Sequence, residues 1–383
     1  MSGTPQAHDA IVVSGWNWET FNVPERVALA LARLGGKVLY CENPVSGLRR
    51  TGRPLKEIES GIYRFGPEFL GHRLNLVPVG FPQLQAKMVA RQILRNASRL
   101  NLKDPLFFYA HGEFFLPLCR EFKRRGFPLV HVCMDYPERG QEELIQLSDL
   151  TLAIPQSVFQ QLRSKYGDKV ALILQVTRIF DVGRQTDAAA AAPDEFAAIS
   201  RPRLGYIGPV TNRLNLKVLE KVLAARPDWQ FLHFGAAKCL PLPNVHLIAW
   251  RASEALKDVV ANLDAGLMPY DCYSNKNFHC MPLKVFDYFY AGLPVVSTPI
   301  VNLWEFADTI YFGDNADELC RAVQSALDEP ADSPKKSERI AIAREHSIEG
   351  LSTALDQVFA SRHQFLTGKT SEARAKFVDE EFG

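Results

Sequence analysis

Residues 281–299 read MPLKVFDYFYAGLPVVSTP, an apolar run that carries a lysine and an aspartate three positions apart. Pro282 fits a first helical position, and Leu283, Phe286 and Tyr290 recur at helical spacing. Gly292 supplies a helix stop, and Pro294 leads into the strand-like run Val295-Val296-Ser297-Thr298. The spacing therefore predicts a helix from Pro282 to Gly292 that hands over to a buried strand. Lys284 falls in the first turn, where the helix dipole disfavours a cation, so a further anion is called for beside it. A diphosphate would supply that charge and would also meet the free amides of a helix start. Asp287 lies one turn on along the same side, within reach of the hydroxyls of a ribose attached to such a phosphate. A Lys284–Asp287 surface pair on an ordinary amphipathic helix satisfies the same spacing, and spacing alone does not separate the two.

Outward from this stretch the chain alternates strand and helix. AIVVSG (10–15), PERVALALARLGG (24–36) and KVLYCEN (37–43) read as strand, helix and strand, with Gly35 as a helix stop. PLFFYAHG (105–112), LPLCREFKRRG (116–126) and PLVHVCMD (128–135) repeat the rhythm, and residues 141–167 read as helix, short strand and helix before the strand ALILQV (171–176). A second series opens with the strand RLGYIGPV (203–210) and the helix LNLKVLEKVLAARP (214–227), followed by the strands WQFLHFG, VHLIAW, AGLMPY and LPVVSTP. Such alternation belongs to parallel sheets covered by helices. The expected architecture is α/β, with two Rossmann-like domains facing a cleft. The expected domains are 1–200 and 201–346. The Ala-rich DAAAAAPDEFAAIS (187–200) serves as linker, and 347–383 holds a C-terminal helix that packs back on the first domain.

The bulk properties exclude several classes. The 383 residues are 47% hydrophobic and 23% charged, as in ordinary globular proteins. Lys plus Arg number 44 against 43 Asp plus Glu, so the net charge of +1 offers nucleic acid no bulk attraction. The 7 cysteines are scattered without a Cys-x-x-Cys pair, which argues against a disulfide scaffold or a structural zinc site and fits a reducing cytoplasm. MSGTPQAHDA lacks the basic and apolar regions of a signal peptide, and no apolar run approaches the roughly 18 residues of a membrane span. After the first strand comes SGWNWETFN rather than a glycine-rich dinucleotide fingerprint, so a nicotinamide enzyme is disfavoured.

Residues 281–298 resemble the signature of GT-B glycosyltransferases, in the family-4-like group and its relatives. The matching positions are Pro282, Lys284, Asp287, Tyr288, Ala291, Gly292, Pro294, Val295, Val296 and Thr298. The likeness extends through most of the second domain and is weaker in the first. It implies a nucleotide-sugar donor, UDP-linked, with Lys284 on phosphate and Asp287 on ribose. By the same resemblance the turn Gly208-Pro209-Val210 approaches the donor phosphates or sugar, and Arg213 neutralises the diphosphate or simply stands solvated at a helix start. Trp250 and Arg251 frame the nucleobase, and Asn277 and His279 lie near the donor sugar. Tyr270 covers the nucleotide, unless it is a half-buried core tyrosine. Two departures stand out: Asp287 replaces the usual glutamate, and His279 occupies the place of a second glutamate, so the common acidic pair is absent. GT-B enzymes typically need no bound metal, and neither a metal nor a cofactor is expected here.

The base then has to come from the first domain. Asp135 ends a strand, where α/β domains place catalytic groups, and inverting relatives such as the xanthan-type glucuronosyltransferase have an aspartate in a comparable loop. Inverting transfer needs one carboxylate to take the acceptor proton, and Asp135 is the expected base. His111 and Glu113 are the next candidates, with Trp16 also on the acceptor side. Between Glu68 and Asp104 no acidic residue occurs, while Lys87, Arg91, Arg95, Arg99 and Lys103 recur every four residues. On a helix this period drifts by about 40° per step, and Met88, Ile93, Leu94 and Leu100 flank it. Such a basic amphipathic helix suits an anionic membrane surface as well as a plain solvated face. The expectation is a cytoplasmic protein, peripheral at the inner membrane, that transfers a hexosyl or glucuronosyl group. Its acceptor would be a glycan or lipid-linked glycan in bacterial-type polysaccharide or glycoconjugate synthesis. A nucleotide-sugar epimerase on the same fold and a non-catalytic nucleotide-sugar-binding partner remain the alternatives.

Overall fold

The computed structural model describes residues 7–18, 22–42, 45–46, 53–69, 81–110, 116–134, 141–177, 196–208, 213–235, 239–249, 253–273, 277 and 279–366. The chain divides into two compact units, residues 1–174 with 348–383, and residues 175–347. The linker expected at 187–200 lies for the most part outside the described residues.

The first unit is built on an eight-stranded sheet. Its strands are β1 (Ala10–Val13), β2 (Val38–Cys41), β4 (Arg53–Glu59), β5 (Ile62–Gly66), β7 (Leu106–Tyr109), β8 (Leu129–Cys133), β9 (Leu150–Ala153) and β10 (Val170–Leu172), in the order β10-β9-β8-β7-β1-β2-β5-β4. The pairings are parallel except for β4 on β5. The central strands AIVV, VLYC, LFFY and LVHVC are buried throughout, the continuous apolar type that a parallel sheet covered on both faces requires. The edge strand RPLKEIE is mostly exposed, and its charges blunt further strand pairing. A separate two-stranded piece pairs β3 (Val45–Ser46) with β6 (Glu68–Phe69).

Helix α1 (Val23–Arg33) starts where expected because the Asn22 side chain accepts from the Glu25 amide and a proline occupies the first turn. Helices α2 (Phe81–Arg99) and α3 (Leu116–Arg124) pack together, and α4 (Gln141–Leu147) and α5 (Gln156–Tyr166) complete the series. The C-terminal helix returns to this unit, as the sequence led us to expect. Helix α11 (Ile348–Ser361) lies on α1, burying Leu351, Leu355 and Phe359. Ser352 donates to the Ala30 carbonyl at 3.2 Å, and Arg33 pairs with Glu349.

The second unit holds a six-stranded, wholly parallel sheet. Its strands are β11 (Arg203–Ile207), β12 (Gln230–Phe234), β13 (Val245–Ile248), β14 (Ala265–Met268), β15 (Val295–Ser297) and β16 (Ile310–Phe312), in the order β13-β12-β11-β14-β15-β16. The connecting helices are α6 (Leu216–Ala225), α7 (Ser253–Ala261), α8 (Lys284–Tyr290), α9 (Ala316–Leu327) and α10 (Pro334–Glu345). Strand order runs outward in opposite directions from β11 and β14. The topological switch point therefore lies between those two strands, where open α/β sheets form ligand crevices at the carboxyl ends.

The opening stretch folds slightly differently from its spacing. The α-helix proper begins at Lys284, preceded by a tight turn in which the amides of Val285 and Phe286 bond back to the carbonyls of Pro282 and Leu283. Those i→i+3 bonds occupy amides that an open first turn would leave for an anion. Gly292 ends the helix at φ +66, and its carbonyl accepts from the fully buried Arg339 at 3.0 Å.

Candidate functional site

The switch point of the second sheet gathers Tyr206, Gly208, Tyr270 and Lys284. Tyr206 is in β11, Gly208 follows that strand, Tyr270 follows β14, and Lys284 opens α8. The Lys284 ammonium donates to the Tyr270 hydroxyl at 2.7 Å and to the Tyr206 hydroxyl at 3.3 Å. It also stands 4.4 Å from the centre of the Tyr206 ring. Two phenol oxygens and a ring face are a weak substitute for water around a cation, and they hold the ammonium in one place without neutralising it. Burial above all, with Tyr206 beside it, pushes the Tyr270 phenol well above its usual range, so it stays protonated. Tyr270 itself is held by the Thr298 hydroxyl, which accepts from its amide at 2.9 Å.

Gly208 adopts φ +137, a region closed to side chains. A Cβ there would stand 3.6 Å from Lys284 Nζ, so the bare backbone and the ammonium are near neighbours. The Gly208 amide donates to the Phe234 carbonyl at 3.1 Å, and its carbonyl lies 2.9 Å from His233 Nε2. His233 is fully buried opposite Tyr206 in the β11–β12 register.

Asp287 lies on the inner side of α8 and is fully buried. Its Oδ1 accepts from the Thr177 hydroxyl at 2.7 Å. Thr177 belongs to the segment by which the chain enters this unit, and its amide donates to the His346 carbonyl at 2.8 Å near the point where the chain leaves it. The His346 ring lies flat on Phe286, 3.9 Å between centres and 13° between planes, with Nδ1 against the Gln175 carbonyl. The Gln175 side chain donates through Nε2 to the Met281 carbonyl at 3.3 Å. Both ends of the unit's chain are thereby fastened to the helix that carries Lys284. Burial lowers the His346 pKa to about 4, although the Gln175 carbonyl pulls it the other way.

Arg213 and Asn277 meet through the backbone. The Asn277 side chain donates to the Arg213 carbonyl at 3.0 Å and to the Asp271 carbonyl at 2.8 Å. Leu214 bridges to Tyr270, so Asn277 ties the loop of Arg213 to the loop of Tyr270. The His279 carbonyl is held by Asn302 at 3.0 Å, and partial burial lowers the pKa of its half-buried ring. Trp16 follows β1 in the first unit, half-buried, with its amide on the Ser14 hydroxyl at 3.1 Å. Arg91, Arg95 and Arg99 are exposed on α2. Val210, Trp250, Arg251, His111, Glu113 and Asp135 lie outside the described residues. Among the described residues no group of three or more His, Cys, Asp and Glu side chains is placed to hold a metal ion. Tyr206, His233 and Thr177 escaped the sequence reading. A histidine inside the apolar run QFLHF was the one available signal.

Solved structures with this architecture identify its type. A trehalose-phosphate synthase (UDP-forming) from Burkholderia xenovorans superposes with a TM-score of 0.66 at 12% identity, over 91% of this chain and 99% of that one. Sucrose-phosphate synthase from Thermosynechococcus elongatus gives 0.64 at 14% identity, over 93% and 100% of the chains. The E. coli trehalose-6-phosphate protein bound with UDP-2-fluoro glucose gives 0.64 at 13% identity, over 93% and 99%. The fold is GT-B. At these identities the likeness concerns the fold alone. In sequence the chain is similar to a Bacillus subtilis (strain 168) protein named as a teichuronic acid biosynthesis glycosyltransferase, TuaH, with 30% identity over 157 residues. That match spans 37% of this chain and 38% of the relative. No family model matches the chain.

Proposed function

We propose that the protein is a glycosyltransferase that moves a sugar from a UDP-linked donor to a glycan or lipid-linked acceptor in bacterial-type polysaccharide or glycoconjugate synthesis. The observation that carries this reading is the Lys284 ammonium, fixed by two phenols beside the bare Gly208 turn at the switch point of a GT-B sheet. As the anomeric C–O bond breaks, negative charge collects on the departing diphosphate, and a pre-positioned cation next to an approachable backbone stabilises it. The partial similarity to a teichuronic acid glycosyltransferase supports a polymer-building role. Asp287 takes the ribose role by its place in the signature. Asp135 is assigned as the base that accepts the acceptor hydroxyl proton while that oxygen attacks the anomeric carbon, which inverts the configuration. A trehalose-6-phosphate synthase of the same fold is described as transferring with retention, so the anomer of the product, read by NMR, tests this assignment directly.

Acceptor-dependent release of UDP from a UDP-sugar is the expected activity. Lys284→Ala weakens UDP binding and lowers turnover together, whereas Asp135→Asn keeps UDP binding and loses turnover. Nucleotide release without an acceptor would favour the epimerase reading, and tight binding with no turnover the non-catalytic one. Turnover is expected to survive a chelator.

A second reading concerns where the acceptor is met. On α2 the buried face is Ala86, Val89, Ala90, Ile93 and Ala97, which leaves Lys87, Arg91, Arg95 and Arg99 exposed within an arc of about 120°. Leu84 shares that arc and is 55% exposed. A cationic stripe with an apolar residue at one end supports docking on an anionic bilayer at the inner membrane. No helix among the described residues is long and apolar enough to cross one. Sedimentation with phosphatidylglycerol vesicles tests the reading, and equal binding after Arg91, Arg95 and Arg99 become Gln would reject it.

A further inference from the structure

His233 is a buried titratable side chain that the proposed transfer does not use. It is fully buried near the end of β12, yet it makes specific polar contacts on both sides of its ring. Nε2 lies 2.9 Å from the Gly208 carbonyl oxygen, and Nδ1 lies 3.3 Å from Cys239 Sγ. A carbonyl oxygen only accepts, so the proton is on Nε2. The bare Nδ1 is then an acceptor, and the Cys239 thiol is its donor. Burial raises the Cys239 pKa, which keeps the thiol protonated and able to donate. Burial foremost, and the Lys284 charge as well, lower the His233 pKa against the opposing pull of the Gly208 carbonyl. The ring is therefore neutral at pH 7, in a single tautomer.

The ring also meets Tyr206 edge-on, 5.0 Å between centres at 83°. It thus touches the glycine turn through its Nε2–H and one of the lysine's phenol partners through its edge. The two halves of the Lys284 environment, the turn on one side and the aromatic cradle on the other, share this one side chain. With φ at +137 the Gly208 peptide is in a conformation with little intrinsic preference. Its orientation depends on the bonds at its two ends, the amide on Phe234 and the carbonyl on His233.

We propose that His233, in the Nε2–H form held by the Cys239 thiol, is a positioning residue that sets the Gly208 turn against the Lys284 ammonium for contact with the donor's diphosphate. The role rests on the donor reading above, and it adds to that reading a residue that itself stays out of contact with the nucleotide. The side chain requirement is narrow. A donor is needed at the Nε2 position, and only a side chain of histidine or glutamine length reaches it.

The test is the affinity of the purified full chain for UDP, GDP and TDP, measured calorimetrically for wild type, His233→Leu, His233→Gln and His233→Asn. Loss of one buried hydrogen bond and the order it imposes predicts about tenfold weaker diphosphate binding for His233→Leu. His233→Gln restores binding to within about threefold of wild type, because its amide reaches the Gly208 carbonyl. His233→Asn, whose amide stops short, stays weak, and this pair decides the matter if the leucine variant does not fold. Folded Leu and Asn variants that bind like wild type, or a Gln variant no better than Asn, would overturn the role. Nitrogen chemical shifts of the His233 ring are expected to report the Nε2–H tautomer in wild type, and the Nδ1–H tautomer would overturn it as well. Wild-type protein that binds none of the three diphosphates would instead overturn the donor reading and the role with it, a result distinct from equal binding by wild type and variants.

Discussion

Helices α8 and α2 both carry cations, and the molecule treats them in opposite ways. On α8 the lysine is gripped by two phenol oxygens, the aspartate one turn on is fully buried, and Val285, Phe286, Tyr288 and Phe289 are wholly inside. On α2 the arginines point outward along one face, and the helix is held by small and aliphatic residues on the other. Held charge has a direction and can be aimed at one group on a ligand. Exposed charge makes a field that salt screens and that any anionic surface can meet. The first kind fits chemistry at a point, and the second fits docking on an area.

Four experiments can break or sharpen that contrast. The largest effect is expected at α8, where Lys284→Ala should lower donor turnover by about 100-fold or more, as for other groups aimed at transition-state charge. Lys284→Arg should recover only part of it, because a planar fork does not replace a point charge between two phenols.

Next comes pH. His346, stacked under α8, binds its proton at about pH 4 in the folded chain instead of near 6.5. The unfolded chain therefore carries more protons between those values, and stability is full above about pH 6.5 and declines as the pH falls toward 4. The decline attributable to this ring is about 3 kcal/mol. Denaturant unfolding at pH 7, 5 and 4 measures it, and His346→Gln should flatten the slope.

On α2 the expected loss is one of adsorption only. Changing Arg91, Arg95 and Arg99 to Gln should weaken binding to anionic vesicles by about tenfold or more at physiological salt, with the melting temperature unchanged. The smallest effect is at the Thr177–Asp287 bond. Thr177→Val should destabilise the fold by about 1 kcal/mol while Thr177→Ser does not, and chemical denaturation distinguishes the two.

The parallel sheets were legible because their signal is local. Buried strands such as AIVV, LFFY and VVS show as short apolar runs, and capped helices such as α1 announce their ends in one or two residues. The β4–β5 pair was not read, since RPLKEIE is a polar edge strand with little apolar alternation and few turn signals. At the site, Lys284, Tyr270 and Gly208 are legible in the sequence and stand together. Their partners are not legible there. Tyr206 reaches Lys284 from 78 residues away, and Thr177 reaches Asp287 from 110. The expected open start of α8 also gave way to a tight turn whose amides bond to Pro282 and Leu283, because a helix entry is shaped by where the preceding loop is anchored.

By itself, then, the sequence determined which segments become buried strands, which become helices, and that a lysine would stand at the start of the helix after β14. Burial and periodicity act over a few residues, and so they can be read from a few residues. Only the tertiary structure decided what surrounds that lysine: two phenols, a glycine turn, and a histidine that holds the turn. These contacts depend on strand order and register, which bring β11, β12 and α8 together across long stretches of chain.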